Sequence, residues 1–215
     1  MIALIRKDFR VYRAAFIAVA LWLIVILLNP IVNAIIMTLQ SGSNDAANVL
    51  EDWGMAGHWV VICVAAVFGG CAFAIERRDR SAEFLAMMPI SRGKILASKL
   101  ITASVAVVPL WFIASCMLAG FCGILQSLQF MQTTACVIVL AFGISWLCSA
   151  LTRSPSISAC LGLAGVLLEI VLATQVHEYG YSNSYIMNLV RISAAVTGIF
   201  CFIGGCIVFT WRVSP

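Results

Sequence analysis

The sequence predicts an all-α, polytopic membrane protein, a single domain over residues 1–215 with six transmembrane helices. Composition, the length of the apolar runs and the placement of the basic residues predict it. Of 215 residues, 63% are hydrophobic and only 10% are charged, with a mean hydropathy of +1.06, whereas a soluble domain needs about 25% charged residues to cover its surface. A helix needs about 20 apolar residues to cross a hydrocarbon core of about 30 Å, because each residue rises about 1.5 Å and the backbone must satisfy its own hydrogen bonds. The apolar runs fit six such helices and leave no room for a large soluble domain or a repeat array.

In chain order, the segment Ile2 to Arg13 comes first. It places Ile2, Ile5 and Phe9 on one side and Arg6, Lys7 and Arg10 on the other, which predicts an amphipathic helix lying in the membrane interface. A merely basic tail is the alternative. The apolar run that follows is too long for a cleaved signal peptide. The expected spans are Ala14 to Leu39, Trp53 to Ile75, Ile95 to Phe121, Phe130 to Leu151, Ile157 to Val176 and Leu189 to Trp211. Asn29 and Pro30 break the first, since proline removes a helical hydrogen bond and clashes with the preceding turn.

Orientation follows from the basic residues, because short loops rich in Lys and Arg are retained on the cytoplasmic side. With six spans and both termini inside, 12 of the 13 basic residues are cytoplasmic and only Arg191 is external, while Asp45, Glu51, Asp52 and Glu178 fall outside. The net charge of +4 is therefore a sum over two unlike faces. The basic face meets anionic lipid and cytoplasmic partners; no nucleic-acid partner is expected. The nine cysteines lie in or beside apolar runs without a C-x-x-C pair, which suits packing better than metal or redox chemistry.

The least membrane-like stretch runs from Gly69 to Leu100 and holds nine of the 22 formal charges. Ser81 can cap a short helix with Glu83 in its first turn, and Pro89 ends it. Ala82 to Met88 would then present Phe84, Leu85 and Met88 as one apolar patch ringed by charge. That patch suits a pocket on another protein or, alternatively, a helix lying flat on lipid with Arg77, Arg78, Arg80 and Arg92 at phosphate level.

These residues carry a family resemblance. A small-residue-rich helix end, Glu76 with basic neighbours, the turn Glu83-Phe84-Leu85, the run Pro89-Ile90-Ser91-Arg92 and Lys99 opening the next span together resemble the ABC-2 permeases of ABC transporters. Leu4 to Arg13 is similar to that family's N-terminal interfacial helix. Arg80 and Ser81 stand where the family often has Gly-Thr. The resemblance implies that the cytoplasmic loop 76–92 is a coupling helix docking on a separate ATPase subunit, through Glu76, Arg77, Arg80, Glu83, Phe84, Leu85, Met88, Pro89 and Arg92. It further implies a second permease subunit, identical or not, in the plasma membrane of a bacterium or archaeon. The cofactors, ATP and magnesium, would belong to the ATPase. This chain has no phosphate-binding loop, since Gly93-Lys94 is followed by Ile95 and lacks the glycine five residues upstream. It is thus expected not to be an enzyme, and to export an amphipathic or hydrophobic cargo.

Glu169 is the one ionisable side chain well inside a span, where an ionised acid costs about 2.5 to 3.5 kcal/mol on insertion scales. Arg191, at a similar depth on the next span, is its expected ion-pair partner; a place on a translocation path and a protonated packing role are the alternatives. An ion-gradient-driven carrier or channel using Glu169 is the competing reading of the whole chain, although no inverted three-span halves with paired broken helices are visible. His177 and Glu178 lack the second histidine of a zinc protease motif, and no metal site is expected.

Overall fold

The computed structural model describes residues 43–78, 91–122, 124–178 and 183–212, together with positions 7, 9, 10, 13, 17, 21, 25, 32 and 36 of the N-terminal stretch. The described residues form no strand. They build five long helices: α1 Ser43–Arg78, α2 Arg92–Cys122, α3 Ile124–Leu151, α4 Pro155–Glu178 and α5 Asn183–Arg212. Each contains a stretch long and apolar enough to span a membrane: Ala56–Arg77, Arg92–Cys116, Leu128–Leu151, Pro155–Gln175 and Tyr185–Trp211. These correspond to the second through sixth expected spans. The first, Ala14 to Leu39, lies largely outside the described residues, although each described position from Arg13 to Ile36 is helical and exposed.

The helices outrun the apolar runs at their polar ends. The stretch expected to be an external loop before Trp53 is helical from Ser43 onward. Its sequence, Asp45-Ala-Ala-Asn-Val-Leu-Glu51, contains neither glycine nor proline, so helical hydrogen bonding continues after hydrophobicity stops. Similarly, α4 persists to Glu178 and α5 begins at Asn183, so little of the expected loop from His177 to Asn188 is left outside a helix.

Helices α1 and α3 form the centre. In the spanning part of α1 67% of residues are buried, against 22% in α4 and in α5, because α1 is enclosed by α2, α3 and α4, while α3 touches all four other helices. Hydrocarbon offers apolar side chains no less comfort than a protein core, so such a bundle is held by close packing of small residues rather than by escape from water. Accordingly Ala65, Ala103, Ala106 and Ala114 fill the α1–α2 seam, and Ala66, Ala141 and Ala194 the seam where α1, α3 and α5 meet. The tightest crossing joins α3 and α5 at Gly143 and Gly198, where a Cβ on either glycine would overlap the other helix's backbone. Neither belongs to a G-x-x-x-G, which is why sequence pattern alone passes over this crossing.

The α3–α4 turn is specified locally. Ser154 caps α4, its Oγ accepting from the Ile157 amide at 3.4 Å, and Pro155 takes the first helical position, where its missing N–H costs nothing. Thr152 and Ser158 hydroxyls lie 2.7 Å apart across the turn. Within α2, Pro109 deletes the hydrogen bond to the Val105 carbonyl, a break the sequence reading did not single out.

Candidate coupling site at the charged end

Successive helices alternate in direction, so the C-terminal ends of α1, α3 and α5 lie with the N-terminal ends of α2 and α4. This end carries most of the described basic residues. An aromatic cluster forms its floor: Phe73 stacks on Phe209 at 4.5 Å between ring centroids and meets Trp146 edge-on at 4.7 Å, and Trp146 lies 5.3 Å from Phe202. Trp146 is fully buried, so α1, α3 and α5 meet around a rigid hub.

Glu76 emerges from this floor in the last turns of α1. It is 8% exposed, and its Oε1 accepts from Lys99 Nζ of α2 at 3.0 Å and from Lys7 Nζ of the N-terminal stretch at 3.3 Å. Lys99 is more enclosed than its partner, at 4% exposed, and its ammonium also lies 5.7 Å from the Phe73 ring centroid, over the negative face of the ring. One carboxylate thus joins three segments far apart in sequence. Removing a buried partner leaves an uncompensated charge, at a cost of about 3 to 5 kcal/mol. The Lys7 side chain is 37% exposed, and water screens its contribution.

A second tie lies at the start of α2. Arg92 Nη1 donates to the Thr210 carbonyl in the last turn of α5 at 2.5 Å, where the negative end of the helix dipole favours a cation. Ser91 accepts from the Lys94 amide at 2.9 Å and closes the first turn of α2. The helix ends that flank residues 79–90 are thus each fastened to a neighbour, α1 through Glu76 to Lys99 and Lys7, and α2 through Arg92 to α5. The two ties join α1 to α2 and α2 to α5.

Of the residues assigned to this region from sequence, Glu76, Arg77, Arg92, Lys7, Phe9 and Arg10 are described, and the structure brings Glu76 and Lys7 into contact. Arg6, Arg80, Glu83, Phe84, Leu85, Met88 and Pro89, and with them the expected short helix, lie outside the described residues. Sequence reasoning noted Lys99 only as a family feature and missed it as the buried partner of Glu76. The available signal was an acid and a base at the facing ends of consecutive antiparallel spans.

At the opposite end, the expected Glu169–Arg191 ion pair is not made. Arg191 donates from Nε to Thr133 Oγ1 at 2.9 Å, from Nη2 to the Gln129 carbonyl at 2.8 Å and from Nη1 to Asn188 Oδ1 at 3.3 Å. Glu169 instead accepts from the Ser193 hydroxyl. The cause is angular. Residues two apart on a helix point to nearly opposite sides, so the face of α5 that sends Ser193 toward α4 sends Arg191 toward α3. Equal depth in the membrane was not enough. His58, at this end of α1, is buried, with Nε2 3.3 Å from Ser115 Oγ and its ring edge-on to Phe130 at 5.0 Å. Among the described residues no cluster of three or more His, Cys, Asp or Glu side chains could hold a metal ion.

Long apolar helices with a polar fastening at one end define the class: an integral membrane protein. A family model described as ABC-2 family transporter protein matches residues 10–174, most of the chain, and the protein belongs to that family. It is a membrane component of an ABC transporter, a kind of assembly in which an ABC ATPase is the partner. No curated protein and no solved structure matches the chain.

Proposed function

We propose that this chain is the permease subunit of an ATP-driven exporter of an amphipathic or hydrophobic cargo, with six spans and both termini in the cytoplasm. The loop 76–92 docks on a separate ATPase, and the functional unit contains two permease subunits. The observation that carries this reading is the placement of Glu76. A buried acid shared by Lys99 and Lys7 sits where the loop leaves the membrane, so that a push on the loop reaches both flanking helices and the N-terminal segment at once. Arg92 on the Thr210 carbonyl extends the same linkage to α5. The family match supports the ATPase partner, and the concentration of basic residues at this end supports a cytoplasmic face.

The deciding experiment replaces Phe84 with Glu and Leu85 with Lys in the assembled transporter. The variant is expected to insert normally, to lose co-purification with the ATPase and to lose ATP-dependent transport. Unchanged co-purification and transport would refute the assignment of the loop.

A further inference from the structure

A cavity of about 810 Å3 opens at the end of the bundle remote from Glu76. Its wall comes from four helices and includes Trp59 of α1, Val137 of α3, Ile170 and Ala173 of α4, and Ile186 and Val190 of α5. The volume lies within the roughly 300 to 1,000 Å3 of sites that enclose a small organic ligand. The hydroxyls of the wall are already engaged: Thr133, Thr134 and Thr174 each donate to a carbonyl of their own helix, and His58 Nε2 lies within hydrogen-bond distance of Ser115 Oγ. The interior therefore suits an apolar body.

The rim differs. Arg191 is joined to the wall through Thr133 Oγ1, and three of its five N–H groups point at Thr133, Gln129 and Asn188. It has no carboxylate within ion-pair distance among the described residues, although a cation inside a span normally finds an anion. Among the described residues, two of its donors and its full charge meet no partner, beside an apolar cavity. Glu169, the acid of this end whose side chain is described, faces Ser193 instead.

We infer that the cavity binds a single-chain anionic amphiphile, its chain against Trp59, Ile170 and Ile186 and its phosphate- or carboxylate-like head on Arg191. This goes beyond the coupling role and needs no ATPase, so its failure leaves the loop assignment standing and the reverse is equally true.

The test uses the purified full chain in nanodiscs and the quenching of Trp59 by brominated dodecyl phosphate, taken as the part of the signal lost in Trp59→Phe. Saturable quenching is expected, at a concentration at least about tenfold lower than for brominated dodecyl maltoside, as suits a charge-assisted head contact. Arg191→Gln should abolish the preference, Arg191→Lys should keep part of it, and Ala173→Phe should abolish saturable quenching by filling the cavity. Inorganic phosphate alone should not compete. Four results would overturn the proposal: equal affinity for the two heads, a preference for brominated dodecyltrimethylammonium, which would assign the site to Glu169, displacement by inorganic phosphate alone, or no quenching of Trp59 because protein covers the cavity. Melting curves identify a misfolded Arg191→Gln protein, and the Lys and Phe substitutions then decide the matter.

Discussion

The two ends of the bundle use their charges in opposite ways. At one, Glu76, Lys99 and Lys7 meet each other, with Lys99 buried over an aromatic floor. At the other, Glu169 and Arg191 occupy neighbouring helices yet turn away from one another, each meeting neutral groups among the described residues. The ion cluster fixes the relative positions of the segments it joins, whereas Arg191, among the described residues, is held by hydroxyl and carbonyl oxygens and meets no opposite charge. The first arrangement accords with the proposed coupling role, the second with the proposed ligand contact.

The largest effect that sharpens this contrast is expected from Glu76→Gln, which strands the Lys99 ammonium in a buried site. A stability loss of about 3 to 5 kcal/mol should appear in unfolding by mixed detergent micelles, with transport lost alongside it. Lys99→Met added to Glu76→Gln should recover most of that loss; no recovery would mean that the pair is not the source of the effect. At the other end, Arg191→Gln should cost about 1.5 to 3 kcal/mol, the range for hydrogen bonds made by a charged group. Exchanging the charges, with Glu169→Arg and Arg191→Glu together, should rescue nothing, because the two side chains do not meet; recovery in the exchanged protein would restore the ion pair. The smallest change is expected from Lys7→Met, within about 1 kcal/mol as for other exposed pairs, and more sensitive to salt than Glu76→Gln. A Lys7 effect as large as that of Glu76 would show the N-terminal segment to be a principal anchor rather than a screened one.

Much of this was legible in the sequence, for reasons that also explain the failures. Bilayer thickness fixes the length of a span, so Trp53 to Ile75 and its four successors were readable from hydropathy, whereas the start of α4 at Pro155, two residues before the expected Ile157, is set by the local cap at Ser154. Contacts between helices depend on rotation about the helix axis, which hydropathy does not encode. Glu169 and Arg191 were matched by depth and differ in facing. Glu76 and Lys99 were both noticed as residues and not as partners. Gly143 and Gly198, isolated in their own helices and outside any G-x-x-x-G, bring two helix backbones together at a point that no sequence pattern marks.

The sharing of Glu76 between two lysines also bears on how the chain is made. Lys99 follows Glu76 by 23 residues, which at about 5 to 20 residues per second separates their synthesis by roughly one to several seconds. For that interval Glu76 is in the chain without Lys99. Lys7 has by then already been synthesised. The exposed partner of Glu76 thus precedes it in the chain and the buried partner follows it.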